Sequence, residues 1–274
     1  MTACPQPSRR QLLLALAGLP AAHLAWAAPP KATEISLLEA INQAGRQRML
    51  SQRMAKLYAQ QLRGIRAGDA KALMGKSISV FDAQLDTLQR LAASRNAGEI
   101  VQTYDKLGAS WRDYRQLVSA SPSREGLQAV AALNEQVLVT AHQGTLQLEK
   151  LHGSSLGKLV NVAGRQRMLS QRMSKFYFFA ASGVDGIEIR KGLETSRTEF
   201  LAAMQVLKHA PENTERIRSW ITLAESQWAF FDDALRSRAG GPGELDYLDN
   251  NVAVCSENIL QVMDKLTELY TTTT

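Results

Sequence analysis

Residues 44–54 read AGRQRMLSQRM, Ala44 to Met54, and the same eleven residues return as Ala163 to Met173, 119 positions further on. The flanks have diverged: Gln43 faces Val162, Ala55 faces Ser174 and Leu57 faces Phe176, so recent duplication alone does not explain the identity. A shared chemistry holds both segments. Each copy carries three arginines and no acidic residue, and two such copies make a concentrated cationic site that calls for an anion.

On a helix, at ~100° per residue, the eleven residues separate into faces. Leu50, Met54 and Leu57 share one side and are assigned to a core. Nearly opposite lie Ile41, Gly45, Arg48 and Gln52, repeated as Val160, Gly164, Arg167 and Gln171. A glycine in mid-helix costs about 1 kcal/mol against alanine, which is odd for a solvated face, and an arginine is odd for a core. The stripe makes sense as a contact face, where another helix comes close over the glycine and the arginine points into the seam. If the two stripes meet, Arg48 and Arg167 converge, and an anion between them relieves their repulsion. A planar guanidinium pairs with a planar oxyanion through parallel hydrogen bonds, and Gln52 with Gln171 is placed to add amide donors. The predicted ligand-binding set is Arg48, Arg167, Gly45, Gly164, Gln52 and Gln171. Arg46 and Arg53 fall on a third face, suited to ion pairs with neighbouring helices.

Outward from the motif, helical periodicity runs from Ile35 to about Ala67, and Gly68-Asp69 reads as a turn with Asp69 as the N-cap of a second helix. That helix carries Ile78, Phe81, Leu85, Leu88 and Leu91, and Ser94 to Gly98 breaks it. A third carries Ile100, Tyr104, Leu107, Trp111 and Tyr114 up to Ser119-Ala120-Ser121-Pro122, and a fourth starts near Ser123. The cycle restarts with a motif helix over 156–181, a turn at 182–186, a helix containing Phe200 and Leu207, a break at 209–213, a helix containing Ile217 and Trp228, the loop Gly240-Gly241-Pro242-Gly243, and a last helix from Leu245 to about Tyr270. The prediction is all-α, two tandem antiparallel four-helix bundles, over 28–152 and 153–274. The join at His152-Gly153-Ser154-Ser155 is either a turn, setting the bundles side by side with their motif helices parallel, or part of one long helix. Its small residues favour the turn.

Residues 1–27 read as an export signal: Ser8-Arg9-Arg10-Gln11-Leu12-Leu13 resembles a twin-arginine n-region, an apolar stretch follows, and Ala25-Trp26-Ala27 is a small-residue cleavage site. The expected location is the periplasm, as a protein free of the membrane after cleavage. Removal of Arg9 and Arg10 lowers the formal charge from +6 to +4, too little and too dispersed for nucleic-acid binding. Cys4 leaves with the signal and Cys255 stands alone, so no disulfide framework, metal cluster or haem attachment is predicted. There is no HExxH, GxSxG or P-loop and no clustering of acids, so neither an enzyme nor a cofactor is expected. His142 and His152 are read as surface or packing residues.

At INQAGRQRMLSQRMAK and NVAGRQRMLSQRMSK the chain resembles the PilJ-type domain, found at the N-terminus of type IV pilus methyl-accepting transducers and related to the periplasmic sensor domain of the NarX/NarQ nitrate sensors. The resemblance implies a four-helix sensor bundle in which nitrate or nitrite sits between the first helices of two subunits, held by an arginine from each, matching Arg48 and Arg167. Family members continue into membrane helices and an output module, which this sequence lacks beyond Tyr270, so occupancy would be reported to a separate receptor or sensor kinase. Two bundles in one chain mimic the dimer; a homodimer is the other way to complete the pair. The rival reading is a non-binding docking module for a membrane receptor or pilus-associated complex, with the motif stripe as a helix-packing device.

Overall fold

The structure is a computed structural model that describes residues 35–237 and 244–273; the export signal at 1–27 and the Gly240 to Gly243 loop lie outside them. The described residues fold into eight helices: α1 (Leu37–Leu62), α2 (Ala67–Ser94), α3 (Gly98–Ser119), α4 (Arg124–His152), α5 (Ser155–Ala181), α6 (Ile187–Lys208), α7 (Glu215–Arg236) and α8 (Leu245–Thr272). Short connections force consecutive helices antiparallel. In each bundle the first and fourth helices pack together, so α1–α4 and α5–α8 each close into a ring.

Side-chain caps set half of the starts. Ser36, Ser123, Ser154 and Thr214 each accept a hydrogen bond from the amide three residues on, at 3.1, 2.9, 3.2 and 3.2 Å. The first turn differs from the sequence reading. Arg66 takes a left-handed conformation (φ 46°) as the α2 cap, so the reversal falls at 63–66, and Gly68 and Asp69 sit inside the first turn of α2. Asp69 is thus no N-cap but accepts from Arg66 at 2.6 Å. Nothing local marks arginine for a left-handed position, which is why glycine and aspartate drew the boundary three residues late.

At the second uncertain point the turn wins. Gly153 closes α4 with φ 71°, a conformation glycine adopts without strain, and α5 starts two residues later. The bundles therefore lie side by side, with α1 against α5. These two run parallel: Gly45 meets Gly164 in mid-helix, and near the C-terminal ends Arg63 Nη1 donates to the carbonyl of Ala181. Each bundle has an equivalent aromatic stack, Phe81 on Trp111 with centroids 3.9 Å apart and Phe200 on Trp228 at 4.4 Å. Among the described residues no helix is long and apolar enough to cross a membrane.

Candidate functional site

The glycines decide how close α1 and α5 come. A Cβ added at Gly45 would lie 3.7 Å from the Cα of Gly164, 3.2 Å from Arg48 Nη2 and 3.5 Å from Arg167 Nη2; one added at Gly164 would lie 3.7 Å from the Cα of Gly45, 3.2 Å from Arg167 Nη2 and 3.6 Å from Arg48 Nη2. Both guanidinium tips crowd the same methyl-sized point, and both side chains are fully buried. The convergence expected of Arg48 and Arg167 is present in one chain.

Each arginine crosses the seam. Arg48 Nη2 donates to Asn161 Oδ1 at 2.7 Å and to the Asn161 carbonyl at 3.3 Å. Arg167 Nη2 donates to Asn42 Oδ1 at 2.9 Å and the Asn42 carbonyl at 3.1 Å. Behind them the asparagine amides donate to carboxylates, Asn161 to Glu149 and Asn42 to Glu39. Each buried charge is thereby linked to an acid through one amide. The two asparagines were not recognised in the sequence, although both precede their glycine by three residues and are identical between copies.

The two-fold breaks at the remaining nitrogen. Arg167 Nη1 donates to Asp264 Oδ1 at 2.6 Å, and the same oxygen accepts from Arg46 Nη2 at 2.6 Å. Arg48 Nη1 instead meets His142 Nδ1 at 3.0 Å. A guanidinium has no acceptor, so Nδ1 accepts and the ring proton sits on Nε2. Burial, then Arg165 and Arg167, pull Arg48 below the ordinary arginine range; burial does the same to Arg167, but there Asp264 pushes back. Both stay charged at neutral pH. Nε of each arginine is buried with no partner among the described residues.

Gln52 and Gln171 line up with the seam yet spend their amide hydrogens elsewhere: Gln52 on Ser51 Oγ (3.2 Å) and Asn134 Oδ1 (3.0 Å), Gln171 on the Ser256 carbonyl (2.9 Å). Their Oε1 atoms have no partner among the described residues. The other motif arginines form the ion pairs assigned to their face: Arg53 with Glu257, Arg165 with Glu199, Arg172 with Glu135. The bundles are also bolted together by two fully buried lysines. Lys56 donates to Glu257 and Lys175 to Glu135, each at 2.6 Å. Burial works against the charge on Glu257, but Lys56 and Arg53 outweigh it and hold that carboxyl at about 2.

His142, read from sequence as surface or packing, is thus a direct neighbour of Arg48. Burial, then Arg48 and Arg165, lower its pKa from 6.5 to about 4, with Glu199 opposing. The unfolded chain therefore takes up this proton before the folded one does, and stability is lost as pH falls from about 6.5 towards 4. Allowing for solvent screening of a half-buried ring, the expected loss is about 1–2 kcal/mol. Melting curves of His142→Gln should lack this component; an unchanged pH profile would refute it.

No group of three or more histidine, cysteine or acidic side chains suited to a metal is present among the described residues. A family model described as the type IV pili methyl-accepting chemotaxis transducer N-terminal domain, PilJ, matches residues 36–138 and 153–237. No curated protein and no solved structure matches the chain.

Proposed function

This chain belongs to the PilJ family of N-terminal domains of type IV pili methyl-accepting chemotaxis transducers, and on that premise we propose that it is a periplasmic sensory protein binding a small planar oxyanion, nitrate or nitrite, between α1 and α5. The observation that carries this reading is the meeting of two fully buried guanidiniums over the Gly45–Gly164 contact. Arg48 has no carboxylate against it, and the Nε–H of each arginine is unused. An anion accepting from an Nε–H and an Nη–H of each would offset two like charges in a dehydrated seam. Gly45 and Gly164 act by permitting the approach, and Gln52 and Gln171 by rotating their amides when the seam is occupied. Residues 1–27 are proposed as a cleaved export signal, and 28–152 and 153–274 as two tandem domains of that family. A membrane receptor or sensor kinase is the proposed partner.

One observation favours the packing reading instead: every Nη of both arginines already has a protein acceptor. Thermal melts separate the two. Nitrate or nitrite at a hundredfold excess over its dissociation constant should stabilise the fold by about 2.7 kcal/mol, with sulfate and chloride giving far less. Arg48→Lys and Arg167→Lys keep the charge but lose the planar fork, and each should abolish the response. A wild-type protein indifferent to all four anions, or lysine variants that respond fully, would leave only the docking module.

A further inference from the structure

Beside the seam, α4, α5 and α6 border a half-open cavity of about 590 Å³ that reaches His142 and, behind it, Arg48, but not Arg167. Its counterpart under the internal two-fold, a groove between α1, α2 and α8, is lined by Arg46, Arg53, Glu257 and Asp264. The two can be superposed residue on residue: Arg165 stands for Arg46, Glu135 for Glu257, and His142 for Asp264. In the groove, one carboxylate, that of Asp264, serves both Arg167 and Arg46. In the cavity no side chain does this. Arg165 turns to Glu199 at 2.6 Å, and Arg48 is left with a neutral imidazole.

The cavity wall therefore presents a donor without an acid, the His142 Nε2–H that remains after Nδ1 has accepted from Arg48, with the fully buried guanidinium of Arg48 directly behind that ring. The rest of the wall is mixed. Glu135, Glu188 and Glu199 line it, Glu135 paired with Arg172 and Lys175 and Glu199 with Arg165; Leu138, Met168, Phe176 and Phe179 form its apolar part, and the volume falls in the range of small-molecule sites that combine an apolar wall with a few convergent polar groups. It is far larger than a nitrate ion requires.

We propose that this cavity binds an organic monocarboxylate with an apolar, ring-sized body, its carboxylate accepting from His142 and Arg165 and offsetting the charge of Arg48 buried behind the imidazole, in the place that Asp264 takes between Arg167 and Arg46 in the other half. The site is separate from the seam, and its occupation does not depend on nitrate or nitrite binding there. The guest's carboxylate would stand where Asp264 stands in the other half, because Glu199, which takes the place of Val80, pairs with Arg165 rather than with Arg48.

The probe is 3-phenylpropanoate, with 3-phenylpropanamide as its neutral counterpart, titrated calorimetrically into the full chain. The carboxylate should bind and the amide should bind at least tenfold more weakly. His142→Asp installs the acid that the other half already has; it should melt no lower than wild type and lose tenfold or more in affinity for 3-phenylpropanoate. Leu138→Trp fills the apolar end and should lose binding to the same degree while keeping whatever response wild type shows to nitrate. Arg167→Lys, which lies in the seam and against Asp264 but not in this cavity, should bind 3-phenylpropanoate as wild type does. No binding by wild type, equal binding of the amide, or undiminished binding by Leu138→Trp would overturn the proposal, whatever nitrate does.

Discussion

Gly45→Leu is expected to unfold the protein at 37 °C, whereas Gly45→Ala is expected to be tolerated within about 1 kcal/mol. For alanine two small effects oppose: the helix gains about 1 kcal/mol of propensity, and the new methyl sits 3.2 Å from Arg48 Nη2, the far end of a flexible side chain that can yield by a few tenths of an ångström. For leucine the volume has nowhere to go. The Cα of Gly164 is 3.7 Å from the Cβ position and both guanidiniums flank it, so the side chain either forces α1 from α5 or expels the guanidiniums from the asparagines. Overpacking costs about 1–3 kcal/mol, and each hydrogen bond to a charged group lost in the interior adds about 1.5–3 kcal/mol. A total of about 4 kcal/mol or more is a large share of the 5–15 kcal/mol that holds a typical domain folded. Urea melts of the two variants check this. A leucine variant within 1 kcal/mol of alanine would mean that α1 and α5 do not approach as closely as the glycines imply.

That close approach was legible because the two copies of the motif are identical and glycine repeats in register with arginine; two helices that must touch through the same face leave the same signature twice. The partners of the arginines on α4 and α8 were not legible, for a geometric reason. The motif helices are related by 119 positions, but Glu135 and Glu257, like His142 and Asp264, are related by 122, because the connections between them differ in length. Alignment on the motif's own offset pairs His142 with Gln261 and hides the exchange of histidine for aspartate. Only packing reveals it, since helices α4 and α8 share no identical run. Asn42 and Asn161 were available, being identical in both copies, but a buried asparagine relaying charge from arginine to glutamate has no periodicity that singles it out. The lysines Lys56 and Lys175 show the same limit: they repeat at 119, yet lysine on a helix is ordinarily solvated, and only the tertiary fold shows that both are buried against acids from the opposite bundle.

The exchange also shows how one chain can depart from a symmetric dimer. A true homodimer must place the same residue against both arginines. In a fused pair the halves can diverge, and here one arginine has been given an internal acid while the other has not. The seam is thus biased: an anion approaching from the Arg167 side meets Asp264, and one approaching from the Arg48 side meets a neutral ring. A single guest is expected to lie closer to Arg48 than to Arg167.

The C-terminal ends of α1 and α5 should be the second point where one substitution does most damage. Asp249 on α8 is 2% exposed and accepts from Arg63 Nε at 3.0 Å, from Arg63 Nη2 and from the Tyr177 hydroxyl at 2.9 Å. Arg63 also caps the Ala181 carbonyl at the end of α5. One carboxylate therefore fixes the end of the first bundle's α1 to two helices of the second. Asp249→Leu removes it and leaves a guanidinium and a hydroxyl without their acceptor. Breaking a buried pair from one side costs about 3–5 kcal/mol; Arg63 keeps 23% of its side chain in solvent and can turn outward in part, so about 2–4 kcal/mol is expected. The double variant Arg63→Met, Asp249→Leu abandons both charges together and should recover at least half of that loss, since exchanging a whole buried pair for apolar side chains is often close to neutral. Denaturant midpoints for wild type, Arg63→Met, Asp249→Leu and the double variant test the coupling. If the double variant is as unstable as the two single losses added together, Arg63 and Asp249 act independently and the clamp is not what joins the helix ends.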